Sequence, residues 1–129
     1  MKVVIDTNVL ISAFVFGGNA ERSLEKALAL GEVACSDFIT TEVSRVLINK
    51  FAVPEEKVNR ILNTLNQVVQ IVKPTSTLPN VCRDPDDNYV LQLAESVSAD
   101  FIITGDKDLL TLVSFGGTRI VSPAEFLQI

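Results

Sequence analysis

The sequence predicts an α/β protein of three layers, α/β/α, around a central parallel sheet of about five strands. Short β-branched runs alternate with longer segments of helical period, as in a parallel sheet wrapped by helices. Runs such as VVI and FII carry no polar alternation, which is how strands buried on both faces read. A length of 129 residues fits one domain around one core. No linker, tandem repeat or low-complexity tract divides it, so residues 1–129 are expected to form a single domain.

The expected strands are KVVI (2–5), EVAC (32–35), VVQIV (68–72), DFIIT (100–104) and TRIV (118–121). Helices are expected at about 20–30, 38–49 and 85–97, where apolar positions recur three and four apart. The clearest helix starts near Pro54, with Glu55 and Glu56 in its first turn and Val58, Ile61, Leu62, Leu65 and Val69 along one stripe. Ser122 as N-cap and Pro123 at the first position predict a short closing helix. The loops FGGN (16–19) and FGGT (115–118) read as turns that need positive φ.

The composition excludes several chemistries. There is no histidine, so Ser-His and Cys-His nucleophile pairs and imidazole acid–base catalysis are absent. Cys35 and Cys82 are the only cysteines, and they form no C-x-x-C pair that would suggest zinc or thiol redox work. Catalysis, if present, rests on carboxylates, lysine or metal. A formal charge of −5 argues against coating nucleic acid through a broad basic face, although it leaves room for a local site. No apolar run reaches the roughly 20 residues of a membrane span, and the acid in MKVVIDT interrupts any signal-peptide pattern. The expectation is a cytoplasmic protein without a membrane partner.

The acids fall in a pattern. Asp6 follows the first strand, Asp106 follows FIIT with only Gly105 between, DPDDN opens the helix before that strand, and Glu42 lies early in the helix after EVAC. In an open parallel sheet, strand ends and the following helix starts share one edge, where ligands bind at the reversal of strand order. Neighbouring strands about 4.8 Å apart let a hard ion about 2.1 Å from its oxygens touch both Asp6 and Asp106. Without cations such carboxylates repel by about 4 kcal/mol for unit charges 4 Å apart at an effective dielectric of 20. Each acid also has a plain reading as a helix cap or first-turn residue, worth roughly 0.3–1 kcal/mol. That reading is preferred for Asp37 and Asp108 and is open for Asp84; Glu42, judged alone, could be a surface residue on the flank of the Ile39, Val43, Val46 and Leu47 stripe.

In order along the chain, VVIDTNVLISA, ITTEVSRVL, RDPDDNYVLQLA and ADFIITGDKDLL resemble the PIN domain, a small nuclease fold found in VapC-type toxins and RNA-processing factors. The likeness covers nearly the whole chain. It implies that Asp6, Glu42, Asp87 and Asp106 hold one or two Mg²⁺ or Mn²⁺ ions and are catalytic, with Asn8 and Thr104 as polar neighbours and Asp84 as a supporting acid. Asp87 is preferred to Asp86 because Val90, Leu91 and Ala94 then match the family's apolar positions. Asn8 departs from the serine of many relatives but still offers a side-chain oxygen. The FGGN loop, the helix from 54 and the closing GGTRIVSPAEFL further resemble a branch described as toxin components of toxin–antitoxin pairs.

The resemblance implies a metal-dependent endoribonuclease that leaves a 5′-phosphate, a homodimer and a cognate antitoxin. Arg45, Arg83, Lys107 and Arg22 are candidate phosphate contacts; a solvated side chain is preferred for Arg22, and Arg45 can equally pair with Glu42. A PIN fold serving only as an interaction module remains an alternative. A receiver-like signalling domain is weaker, because VVID carries one acid and VVQIVKP ends without a phospho-acceptor. A haloacid-dehalogenase-like phosphatase is weaker still, because Asn8 stands where its second acid would be.

Overall fold

The N-terminal strand β1 (Lys2–Ile5) runs through the middle of the sheet, and the chain then moves outward from it twice, in opposite directions. The computed structural model describes all residues, 1–129. After β1 come α1 (Thr7–Val15), α2 (Gly18–Leu30), β2 (Glu32–Cys35), α3 (Asp37–Asn49), α4 (Glu55–Val68) and β3 (Gln70–Ile71). They are followed by α5 (Asp87–Val97), β4 (Phe101–Ile103), α6 (Lys107–Thr111), β5 (Ser114–Phe115), β6 (Thr118–Val121) and α7 (Pro123–Leu127). The strand order is β3-β2-β1-β4-β6-β5, parallel throughout except for the β5–β6 hairpin.

Right-handed crossovers put α1 to α4 on one face of the sheet. There α1 packs on α2 and α3, and α3 on α4, while α7 closes onto α2. The return from β3 to β4 and the step to β6 carry α5 and α6 onto the other face, where α5 lies against β1, β2 and β4. This is the expected three-layer arrangement, with five parallel strands and one short antiparallel addition.

Burial explains why these runs are strands. Val3, Val4 and Ile5 of β1 and Ile102 and Ile103 of β4 are all buried, so both faces of the central strands are covered by helices. Each such side chain contributes about 1.5–3 kcal/mol relative to exposure. The closing helix forms as its sequence suggests: Ser122 and Glu125 make a reciprocal capping box and Pro123 opens the helix. Positive φ occurs at Gly17, Gly18 and Gly116, as the paired-glycine loops require.

Three local expectations need correction. The strand expected at 68–72 shrinks to Gln70–Ile71, because Val68 belongs to the last turn of α4 and Val69 is its C-cap, donating its N–H to Leu65. TNVLISAFV forms α1, which no helical period announced: Val9, Leu10, Ile11 and Ala13 are all buried, leaving little polar face to reveal one. The five residues of α6 are likewise too few to show a period.

Candidate active site

The register of the two central strands builds the site. Ile5 of β1 pairs with Ile103 of β4, and the ladder continues one step as the Asp6 N–H donates to the Ile103 carbonyl. Asp6 and Thr104 therefore leave the sheet side by side, at the reversal of strand order where open parallel sheets form their crevice. Thr104 is fully buried, and its hydroxyl donates to Asp6 Oδ2 at 2.8 Å while accepting from the Asp106 N–H at 3.0 Å. One hydroxyl thus joins both strand-end acids.

Asp6 and Asp106 are also helix N-caps. Asp6 Oδ1 accepts from the Thr7 N–H and Asp106 Oδ1 from the Asp108 N–H, which fixes one oxygen of each. The capping reading and the cluster reading are thus compatible in the same side chains. Asp6 is only 5% exposed. Burial raises its carboxyl above the ordinary value; the bonds from Thr104 and Thr7 oppose this, and the Glu42 and Asp106 charges add to it.

Glu42, on α3, and Asp87, which opens α5, approach from opposite faces of the sheet. Asp87 is raised to about 8, by desolvation first, then by its contact with the Asp106 carboxyl, and then by the charges of Asp106, Asp6 and Asp84. Asp87 Oδ2 is buried without a hydrogen-bond partner, as is the Thr7 hydroxyl beside Asp6. Burial raises the Cys82 thiol too, with Asp87, Asp106, Asp108 and Asp84 each adding to the shift.

The four acids from four segments therefore feel one another. As the side chains stand, no three acidic or thiol groups close on a single point, so this is a loose cluster and not a finished cage. Its donors are hard carboxylate oxygens, one of them buried and unpartnered, which suits Mg²⁺ or Mn²⁺.

The remaining expected residues lie around this centre. Asn8 is exposed in the first turn of α1. Asp84 is exposed and accepts from the Asp86 N–H through Oδ1, a turn-forming role, while also adding to the field at Asp87. Asp86 has no capping bond. Arg45 pairs with Glu42 at 3.8 Å and is the only charged partner any acid has. Arg83 and Lys107 are exposed without ion pairs, and Arg22 bonds to Asn19 within α2.

Two contributors escaped the sequence reading. Asn88, inside the DPDDN motif, is buried and its Oδ1 accepts from the Val81 and Cys82 N–H groups, pinning the loop before α5. The Thr7 hydroxyl is the other; only its place next to Asp6 could have drawn notice.

Comparison with known proteins agrees with the architecture. The family model described as PIN domain matches residues 2–108. An uncharacterized protein of Methanocaldococcus jannaschii is 34% identical over 142 residues, covering 99% of this chain and 90% of that protein. Among solved structures, a chain of VapBC2 from Rickettsia felis, a complex bound to promoter DNA, superposes with a TM-score of 0.70 at 13% identity, covering 95% of this chain and 98% of that one. A chain of VapBC-1 from nontypeable Haemophilus influenzae gives 0.68 at 17% identity, covering 96% and 99%. VapC20 of Mycobacterium tuberculosis, a toxin that cleaves the sarcin–ricin loop, gives 0.61 at 12% identity, covering 91% and 98%.

Proposed function

The chain belongs to the PIN domain family, and from that premise we propose that it is a divalent-metal-dependent endoribonuclease, the toxin of a toxin–antitoxin pair. The observation that carries this reading is the loose cluster of Asp6, Glu42, Asp87 and Asp106 at one sheet edge, near enough for their charges to act on Asp6 and Asp87, with Asp87 raised to about 8 by its surroundings. A cluster that resists ionisation when empty is one that gains most from a cation.

Asp6, Glu42, Asp87 and Asp106 would hold one or two Mg²⁺ or Mn²⁺ ions. Such an ion, when bound, lowers the pKa of water and offsets charge on a phosphate under attack. The chain's own residues supply the rest. Thr104 fixes the Asp6 carboxylate and the Asp106 backbone together. Asp87, whose carboxyl is raised by desolvation first and then by its contact with Asp106, would give up its proton to act as a ligand. Water adds to phosphorus, the bond to the 3′ oxygen breaks, and the products carry a 5′-phosphate and a 3′-hydroxyl.

Lys107, next to Asp106, and Arg83, next to Asp84, are exposed cations without ion-pair partners and serve as contacts for flanking phosphates. Arg45 offsets Glu42 and is free to turn to phosphate when metal takes over that role. The VapBC complexes among the structural relatives support a cognate antitoxin, and the family supports a homodimer.

The test is cleavage of a mixed RNA pool under Mg²⁺, Mn²⁺ or EDTA, with Asp6→Asn and Asp106→Asn prepared identically. Metal-dependent cutting to 5′-phosphate ends that disappears in both variants is expected. Cutting that persists in EDTA or in either variant would contradict the assignment.

A further inference from the structure

Outward from the acids, along the same edge of the sheet, lies a cavity of about 290 Å³ bounded by Ser36, Phe38, Val72, Lys73, Tyr89 and Gln92, with Asp37 at its side. Ser36 directly follows β2 and Val72 directly follows β3. Because β1, β2 and β3 are parallel neighbours, the cavity shares the rim of Asp6, displaced by one to two strand spacings, roughly 5–10 Å. Phe38 is the second residue of α3 and Tyr89 the third of α5. Their rings bridge the two helical layers in a stack, with centroids 4.0 Å apart and planes 15° apart.

The same two helices carry Glu42 and Asp87, so the aromatic wall and the acids are set by one pair of elements. Both rings are only partly buried. A stacked aromatic pair left open to a cavity is a surface for another flat ring. The polar lining is mixed. The Gln92 amide nitrogen donates to the Ser76 carbonyl at 2.8 Å, which leaves its carbonyl oxygen to accept, and Asp37 also accepts. Lys73 is exposed and has no ion pair, so its ammonium is available to donate.

Resting on the nuclease reading above, we propose that this cavity is a nucleobase subsite that stacks a base of single-stranded RNA beside Phe38 and Tyr89 while a neighbouring phosphate lies at the acids. Single-stranded RNA is recognised through bases splayed onto aromatic side chains. Asp37 and Gln92 as acceptors select bases with an exocyclic amino group, since carboxylates and amide oxygens accept from such groups. Uracil, which lacks one, binds more weakly. Lys73 faces the adjoining phosphate.

Tyr89 is the only tyrosine and the chain has no tryptophan, so intrinsic emission reports on this cavity alone. The protein is titrated with adenosine 5′-monophosphate, uridine 5′-monophosphate and ribose 5-phosphate, with free N-acetyltyrosinamide as the absorbance control. Cleavage of single-stranded RNA is followed in parallel for wild type, Tyr89→Leu, Tyr89→Phe and Lys73→Gln. Saturable quenching by the adenine nucleotide is expected, weaker by the uracil one and absent with the sugar phosphate. Tyr89→Leu should raise KM roughly tenfold, the size of one lost base–aromatic stack, with a smaller effect on kcat, and Tyr89→Phe should recover most of that loss. Lys73→Gln, on an exposed side chain, should weaken RNA binding and flatten its salt dependence, and it carries the cleavage arm if Tyr89→Leu does not fold.

Quenching no greater than the control, or an unchanged KM in a folded Tyr89→Leu, overturns the subsite. A wild type that binds the adenine nucleotide but cuts no RNA overturns the nuclease reading and keeps the base pocket. One that cuts RNA but ignores the nucleotide does the reverse.

Discussion

Thr104 occupies the position on which the two strand-end acids depend. Its hydroxyl is buried, donates to Asp6 and accepts from the Asp106 N–H. Thr104→Val keeps the shape and removes both bonds. Residues that orient metal-ligating side chains typically cost 10–100-fold in metal affinity or activity when changed, and that range is expected for Mn²⁺-dependent cleavage by this variant. Stability should fall by about 1–3 kcal/mol in urea melts, because buried polar groups lose their partners. Thr104→Ser, which keeps the hydroxyl, should retain most of the activity. At this scale the sequence marks the acids at strand ends and helix starts but not how they are joined. Asp6 and Asp106 stand out by ending apolar strands, whereas the Thr104 bridge depends on the β1–β4 register, and the Asp87–Asp106 contact on how two layers meet. Neither is written in any local stretch.

At the scale of elements, short apolar strands and helices with one apolar stripe were legible, and short or uniformly apolar helices were not. KVVI, EVAC and TRIV form strands with the boundaries their sequences suggest, because each is a short run with buried apolar residues that a helix N-cap follows. The buried α1 resembles a strand in composition, and Val68 and Val69 could serve either a helix or a strand; tertiary packing ended α4 at Val68 and left Val69 as its extended C-cap. One element junction is held by close approach. A Cβ on Gly31, between α2 and β2, would meet the Met1 carbonyl oxygen at 2.0 Å, where the Glu32 N–H already donates to that oxygen. Gly31→Ala should therefore destabilise by about 1–3 kcal/mol, the usual cost of forcing backbone apart. Gly117→Ala, where a Cβ meets nothing within 4 Å, should change stability by less than about 0.5 kcal/mol. Thermal melts of the two variants distinguish steric need from loop convenience.

For the molecule as a whole, one edge of the sheet gathers negative charge that the fold does not neutralise internally. No helix is long and apolar enough to cross a membrane, and Glu42–Arg45 is the only ion pair. The Asp87 carboxyl rises from 3.8 to about 8 on folding, and Asp6 is raised as well. A raised acid stabilises the fold fully below its unfolded value and loses that contribution as pH climbs through its folded value. Metal-free protein should therefore lose stability between about pH 4 and 8, and divalent ions should restore more at pH 8 than at pH 6. The central claim is that four carboxylates act as one cation site. Calorimetric titration with Mn²⁺ at pH 7, in two buffers of different ionisation enthalpy, tests it most directly. Because Asp87 holds a proton at that pH and metal ligands must give theirs up, saturable binding that expels about one proton and is lost in Asp6→Asn is the predicted result. Absence of saturable binding, or binding that is undiminished in Asp6→Asn and releases no proton, would contradict the account.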